Sequence, residues 1–196
     1  MGVLHEVLEH NSHWVAERNR PLSKKSSKRV VIFTCMDTRL VDFLEPALGL
    51  KRGDAQMIKN AGATLVDPGG GVVRSLVVAI HGLGCEEVFV IGHTDCGMGQ
   101  IDEEAMRRTM IERGVPSEAI EALHPSLHEW IGGFYNPSAN VERVVGLLRT
   151  NALIPANVPI HGMMFDPASG QLKLLVEGYT PAGRVSEPPI EAARFR

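Results

Sequence analysis

Two short runs constrain this chain more than anything else in it: Arg29-Val-Val-Ile-Phe-Thr-Cys35 and Glu87-Val-Phe-Val-Ile-Gly-His93. Each has a nearly continuous apolar centre rich in β-branched residues. That is the pattern of a strand buried on both faces in a parallel sheet, not the alternation of a half-wet strand. Between them a weaker strand fits Ala55 to Lys59. The stretch from Gly69 to Gly84 places Val73, Leu76, Val77 and Ile80 at i, i+3, i+4 and i+7, with Gly82 and Gly84 as stop signals, which predicts a crossover helix. The order strand, connection, strand, helix, strand predicts an α/β fold with a mainly parallel central sheet flanked by helices.

Further elements extend the pattern in both directions. Leu4, Val7, Leu8, Trp14 and Val15 recur at helical spacing and predict an N-terminal helical arm, followed by a linker, over residues 1–27. A helix outside the sheet with one apolar stripe either covers a partner subunit or docks on its own domain. After Cys96 the charged stretches Asp102–Arg113 and Ser117–Trp130 read as helical, the second bent or divided at Pro125. Val141, Val144, Val145 and Leu148 mark another amphipathic helix. Pro159–Phe165 and Gln171–Glu177 flank the turn-rich Asp166-Pro-Ala-Ser-Gly170 and predict a C-terminal hairpin. Residues 28–178 thus form one α/β core, and 179–196, rich in proline and charge, a peripheral tail.

The chain's 196 residues fit one domain and can bury a substantial core without a metal to hold it together, so a metal here is expected to do chemistry. A net charge of -3 offers no footprint for nucleic acid. The basic cluster Lys24, Lys25, Lys28 and Arg29 reads as solvated linker. No run approaches the about 18 to 20 apolar residues of a membrane span, and His5, Glu6, Glu9 and Arg18 interrupt what a signal peptide would keep apolar. Three cysteines, two assigned to metal, argue against a disulfide framework and for a cytoplasmic setting.

The chemistry gathers where the two buried strands stop, the edge of a parallel sheet where ligands collect. Cys35, His93 and Cys96 make a soft three-ligand set that suits zinc and leaves a fourth position for water. In His93-Thr-Asp-Cys96 a gap of two residues lets a tight turn aim both ligands at one ion. Two thiolates nominally neutralise the dication, so the protein must help with proton and hydroxide. Asp37 and Arg39 answer that need: alternate residues of an extended stretch point the same way, so Cys35, Asp37 and Arg39 can share a side. An Asp held by a bidentate Arg stays ionised and can accept a hydrogen bond from zinc-bound hydroxide. The same Asp37 could instead reach zinc as a fourth ligand in a closed state. Cys85, and the histidines His5, His10, His13, His81, His124, His128 and His161, lack matching partners and read as packed or surface groups.

Cys35-Met-Asp37-Thr-Arg39 followed by His93-Thr-Asp-Cys96-Gly-Met closely resembles the paired motifs of the β-class carbonic anhydrases, and the chain's compact length resembles their archaeal-type branch. The resemblance implies one zinc ion per subunit on Cys35, His93 and Cys96, with Asp37 and Arg39 as the catalytic dyad. It also implies a homodimer, often paired into a homotetramer, with the N-terminal helix laid across the partner. The glutamine and aromatic residues that plant-type members place around the substrate have no clear match, although Gln56 is a candidate beside its plainer reading as a sheet-edge polar residue. The activity implied is a lyase reaction, reversible hydration of carbon dioxide to bicarbonate by zinc-bound hydroxide. Relatives with the same zinc motif hydrolyse carbonyl sulfide or carbon disulfide, which is the nearest alternative. Two further rivals are a nucleotide-binding module at Gly69-Gly-Gly71 and a thiol or zinc sensor using Cys35 and Cys96.

Overall fold

The computed structural model describes residues 2–14, 22–123 and 126–179. In chain order the elements are α1 (Val3–Trp14), β1 (Val30–Cys35), α2 (Leu44–Ala47), β2 (Ala55–Asn60), α3 (Gly71–Val77), β3 (Glu87–His93), α4 (Glu103–Glu112), α5 (Ser117–Glu121), α6 (Leu127–Ile131), α7 (Pro137–Arg149), β4 (Ile160–Phe165) and β5 (Leu172–Val176). The strands form one sheet in the order β2-β1-β3-β4-β5. All neighbours are parallel except β4 and β5, which pair antiparallel as the expected hairpin. The two continuous apolar runs are β1 and β3, side by side near the centre, where both faces must be covered.

Alternation along those strands divides the core in two. Val31 and Phe33 of β1, with Val88 and Val90 of β3, face Val73 and Leu76 of α3 and Val141, Val144, Val145 and Leu148 of α7. Val30, Ile32 and Ile91 face the other way, onto Leu40, Leu44, Met163 and Phe165. Burying a side chain of this size stabilises the fold by about 1.5–3 kcal/mol each, against the entropy of ordering it. Helix α7 starts with Asn136 accepting from the Ala139 N–H and Pro137 in its first turn, as a helix start favours. It lies close on the sheet because Gly92 and Gly162 bring no side chain there. A Cβ at Gly92 would stand 2.6 Å from Val141 Cγ2, and one at Gly162 2.9 Å from Val141 Cγ1.

Helix α3 does not stop at Val77; it continues as a π-helical turn over Val78–Gly82, and Gly84, at φ 72°, releases the chain into β3. Helix α1 forms as expected, but its apolar residues lie outside both cores, with Val3 and Leu4 73% and 66% exposed. The predicted bend at Pro125, residues 15–21 of the arm and linker, and the tail beyond residue 179 lie outside the described residues.

Candidate metal centre

Because β1 and β3 are parallel neighbours, their carboxyl ends, Cys35 and His93, reach the same edge of the sheet. The chain then reverses within two residues. Asp95 takes a left-handed conformation, φ 51°, which turns Cys96 back toward His93. Asp is among the few residues with a side chain that tolerate this region. The turn is tied to the end of β4 by Thr94, whose N–H donates to the Phe165 carbonyl at 2.9 Å and whose hydroxyl donates to Asp166 at 3.1 Å.

The result is one cluster. One ligand atom from each of Cys35, His93 and Cys96 lies within 4.8 Å of the other two, and this is the metal-capable grouping found among the described residues. The sulfurs are 3.9 Å apart, and all three residues are buried, His93 at 1% exposure. His93 Nδ1 lies 2.9 Å from the Thr94 carbonyl, which only accepts, so in the neutral ring Nδ1 carries the proton and Nε2 a lone pair. That Nε2 is buried without a hydrogen-bond partner. A buried imidazole lone pair clustered with two sulfurs fits a thiophilic dication such as zinc.

The thiols divide their protons unequally. A hydrogen bond from Cys96 holds the Cys35 thiol well below the ordinary range in spite of burial, helped by His93 and the N–H groups of Asp37 and Gly62. Cys96 is pushed up, first by Cys35 beside it and then by burial. A dication would favour the loss of both protons. Burial opposes charge on His93, but Cys35, the Thr94 carbonyl and Asp37 together outweigh it and shift the ring upward.

Asp37 and Arg39 meet by a route other than the expected one. The extended backbone ends at Cys35, and Thr38–Leu40 is a 3₁₀ turn capped by the Asp37 carboxylate, which accepts from the Arg39 N–H at 2.9 Å. Short polar side chains at a turn start favour this local bond over continued extension. Arg39 then folds back, Nε donating to Asp37 Oδ1 at 3.0 Å and Nη2 to Oδ2 at 2.8 Å. This bidentate contact, opposed by partial burial, lowers the Asp37 pKa to about 2. Asp37 Oδ2 also lies 3.7 Å from His93 Nε2, at the mouth of the cluster.

Two contributors have no signal of their own in the sequence. The Gly62 N–H donates to Cys35 Sγ at 3.3 Å. Gly62 has φ 75°, and a Cβ there would stand 2.8 Å from Phe134 and 2.9 Å from Met98, so a side chain would push this donor away. The other is Asp95, whose side chain also reaches Arg39, at 2.8 Å. The remaining candidates lie elsewhere. Gln56 sits on the edge strand β2 and donates to the Lys24 carbonyl. Cys85 is buried against the Ser26 hydroxyl, and burial raises its pKa. At Gly69 the N–H donates to the Asp67 carboxylate, which puts a negative charge where a phosphate would have to bind. His81 contacts the Leu153 carbonyl, His128 pairs with Glu103, and His161 is buried at the opposite end of the sheet; His124 lies outside the described residues.

A family model described as carbonic anhydrase matches residues 30–172. YtiB of Bacillus subtilis is 40% identical over 185 residues, covering 91% of this chain and 99% of that protein. The crystal structure of a β-carbonic anhydrase, isoform I, from Trichomonas vaginalis superposes with a TM-score of 0.86 at 36% identity, over 91% of this chain and 100% of that one. A protein named carbon disulfide hydrolase, from Acidithiobacillus thiooxidans, is 27% identical over 182 residues and 87% of each chain.

Proposed function

This chain belongs to the carbonic anhydrase family, and from that premise we propose that it hydrates carbon dioxide reversibly to bicarbonate, with one zinc ion per chain held by Cys35, His93 and Cys96. The observation that carries the reading is the orphaned Nε2 of His93 facing two buried sulfurs. When bound, zinc supplies the Lewis acid that brings the pKa of a water toward about 7 and so makes a nucleophile available near neutrality.

The chain's own groups direct that nucleophile. Asp37, ionised down to a pKa of about 2, can only accept a hydrogen bond. It therefore takes one from the attacking O–H and leaves the oxygen lone pair turned toward the carbon of carbon dioxide. Arg39 keeps both Asp37 oxygens engaged, which orients the carboxylate and holds it back from becoming a ligand itself. Met98 and Phe134, packed against the core cluster that includes Cys35 and Cys96, offer apolar surface suited to an uncharged substrate.

Stopped-flow hydration of carbon dioxide, with zinc content determined on the same sample, tests this. Substituting Ala at Cys35, His93 or Cys96 should remove metal and activity together, and a metal-free variant working at the wild-type rate would refute the assignment. The relative named carbon disulfide hydrolase supports a second reading, hydrolysis of carbon disulfide or carbonyl sulfide at the same site. Hydrogen sulfide release measured beside hydration on one preparation decides between them. The exposed apolar residues of α1 support a homodimer or homotetramer in which this helix lies on a partner. Three free cysteines support a cytoplasmic setting.

A further inference from the structure

Arg39 is held from two sides. Its Nε and one Nη2 hydrogen go to Asp37. On its far side Nη1 donates to Asp95 Oδ2 at 2.8 Å, and Nη2 donates to the Asp95 backbone carbonyl at 2.7 Å. Four of the five N–H groups of the guanidinium are thereby engaged by two residues that come from different strands, Asp37 after β1 and Asp95 after β3. The left-handed backbone at Asp95 serves both ends, since the same residue that turns Cys96 toward the metal cluster presents its carbonyl and carboxylate to Arg39.

We propose that Asp95 is a positioning residue for the hydration reaction: it clamps Arg39 so that Arg39 keeps Asp37 aimed at the nucleophile. This rests on the proposed activity of the site. Arg39 and Asp95 are 42% and 72% exposed in their side chains, so the ion pair adds little to stability. Its consequence is orientation. With only Thr38 between Asp37 and Arg39, the local turn fixes the Arg39 backbone but leaves its long side chain free to swing unless something beyond Asp37 holds its other edge, and a small loss of alignment near the reacting atoms is costly in rate.

The test uses zinc-loaded full-length protein and two substitutions chosen for the backbone. Asp95→Gly keeps the left-handed turn and removes the carboxylate; Asp95→Asn keeps the turn and an oxygen acceptor. Two quantities are read: kcat for hydration, and exchange of the Arg39 Nε–H by NMR, which does not depend on turnover. The expectation for Asp95→Gly is full zinc content, kcat lowered about tenfold and Nε–H exchange at least about tenfold faster, with Asp95→Asn recovering most of both. In an Arg39→Ala background, Asp95→Gly should cost nothing further, because a residue acting through Arg39 has nothing left to position. Unchanged exchange and kcat in Asp95→Gly, or the same loss with and without Arg39, overturns the inference. A wild-type protein that binds zinc without hydrating carbon dioxide would instead sink the activity, and the exchange comparison would still report on the clamp.

Discussion

Two buried histidines stand at opposite ends of the same sheet and do opposite things. His93 closes β3 at the carboxyl edge; His161 is the second residue of β4, at the other. They are 1% and 5% exposed, and Nε2 of each lacks a hydrogen-bond partner. Each also neighbours a glycine that seats Val141 of α7, Gly92 before His93 and Gly162 after His161. The difference lies at Nδ1. In His93 it faces a carbonyl, so in the neutral ring it donates and leaves Nε2 as a lone pair. In His161 it accepts from the Gly178 N–H at 3.0 Å, so in the neutral ring Nε2 carries the proton, 3.4 Å from Glu87 and packed between Phe89 and Tyr179. A backbone partner on one nitrogen thus decides whether the other can bind a metal.

The strongest attempt to break this contrast exchanges each ring for Ala. His93→Ala should lose zinc and fall to background hydration. His161→Ala should keep zinc, by elemental analysis, while unfolding at lower denaturant, with about 1–3 kcal/mol of stability lost to the cavity and the orphaned Gly178 N–H. Zinc loss in the His161 variant would show that the two ends of the sheet are not independent.

Next in size is Asp37→Ala, expected to retain zinc and lower kcat by about 10²–10⁴. Wild-type turnover would remove Asp37 from the mechanism and leave the cluster a plain metal site.

The paired glycines sharpen the comparison. Gly92→Ala and Gly162→Ala should each cost about 1–3 kcal/mol by overpacking against Val141, measured by chemical denaturation. Only Gly92→Ala should also weaken zinc retention against a chelator, because it would displace the adjoining His93, a proposed ligand.

The smallest effect is in pH. Burial lowers the His161 pKa, reinforced by Arg149 and opposed by Glu87 and Glu177. A group depressed in the folded state binds its proton more readily when unfolded, so stability is fully present above about pH 6.5 and is lost as pH falls from there through the folded-state value. His161→Gln should flatten that part of the stability profile; an unchanged slope would assign it to another group.

Much of this was readable in the residues themselves. The buried strands β1 and β3 announced themselves by continuous apolar runs, and β3 begins and ends where the sequence placed it. The hairpin followed from Asp166–Gly170 and α7 from its four valine and leucine positions. Cys35, His93 and Cys96 were legible as a candidate ligand set from their spacing at strand ends, and the structure brings them into one cluster. Gly62 and Asp95 were not, since neither residue type is unusual in a loop and their partners are 27 and 56 residues away. The shared side of Asp37 and Arg39 was anticipated, but through extended backbone where a capped 3₁₀ turn formed instead, because a carboxylate that can bond its own chain two residues on competes with extension.

The sequence by itself determined which segments must be buried strands and which three side chains could grip an ion, because periodicity and strand-end spacing are local properties. Only the tertiary structure decided which histidine nitrogen keeps its lone pair, which N–H steadies Cys35 and what holds the far side of Arg39. Those outcomes depend on individual hydrogen bonds that the folded backbone sets up, from the Thr94 carbonyl beside His93 to partners 27 and 56 residues away, and no periodicity encodes them.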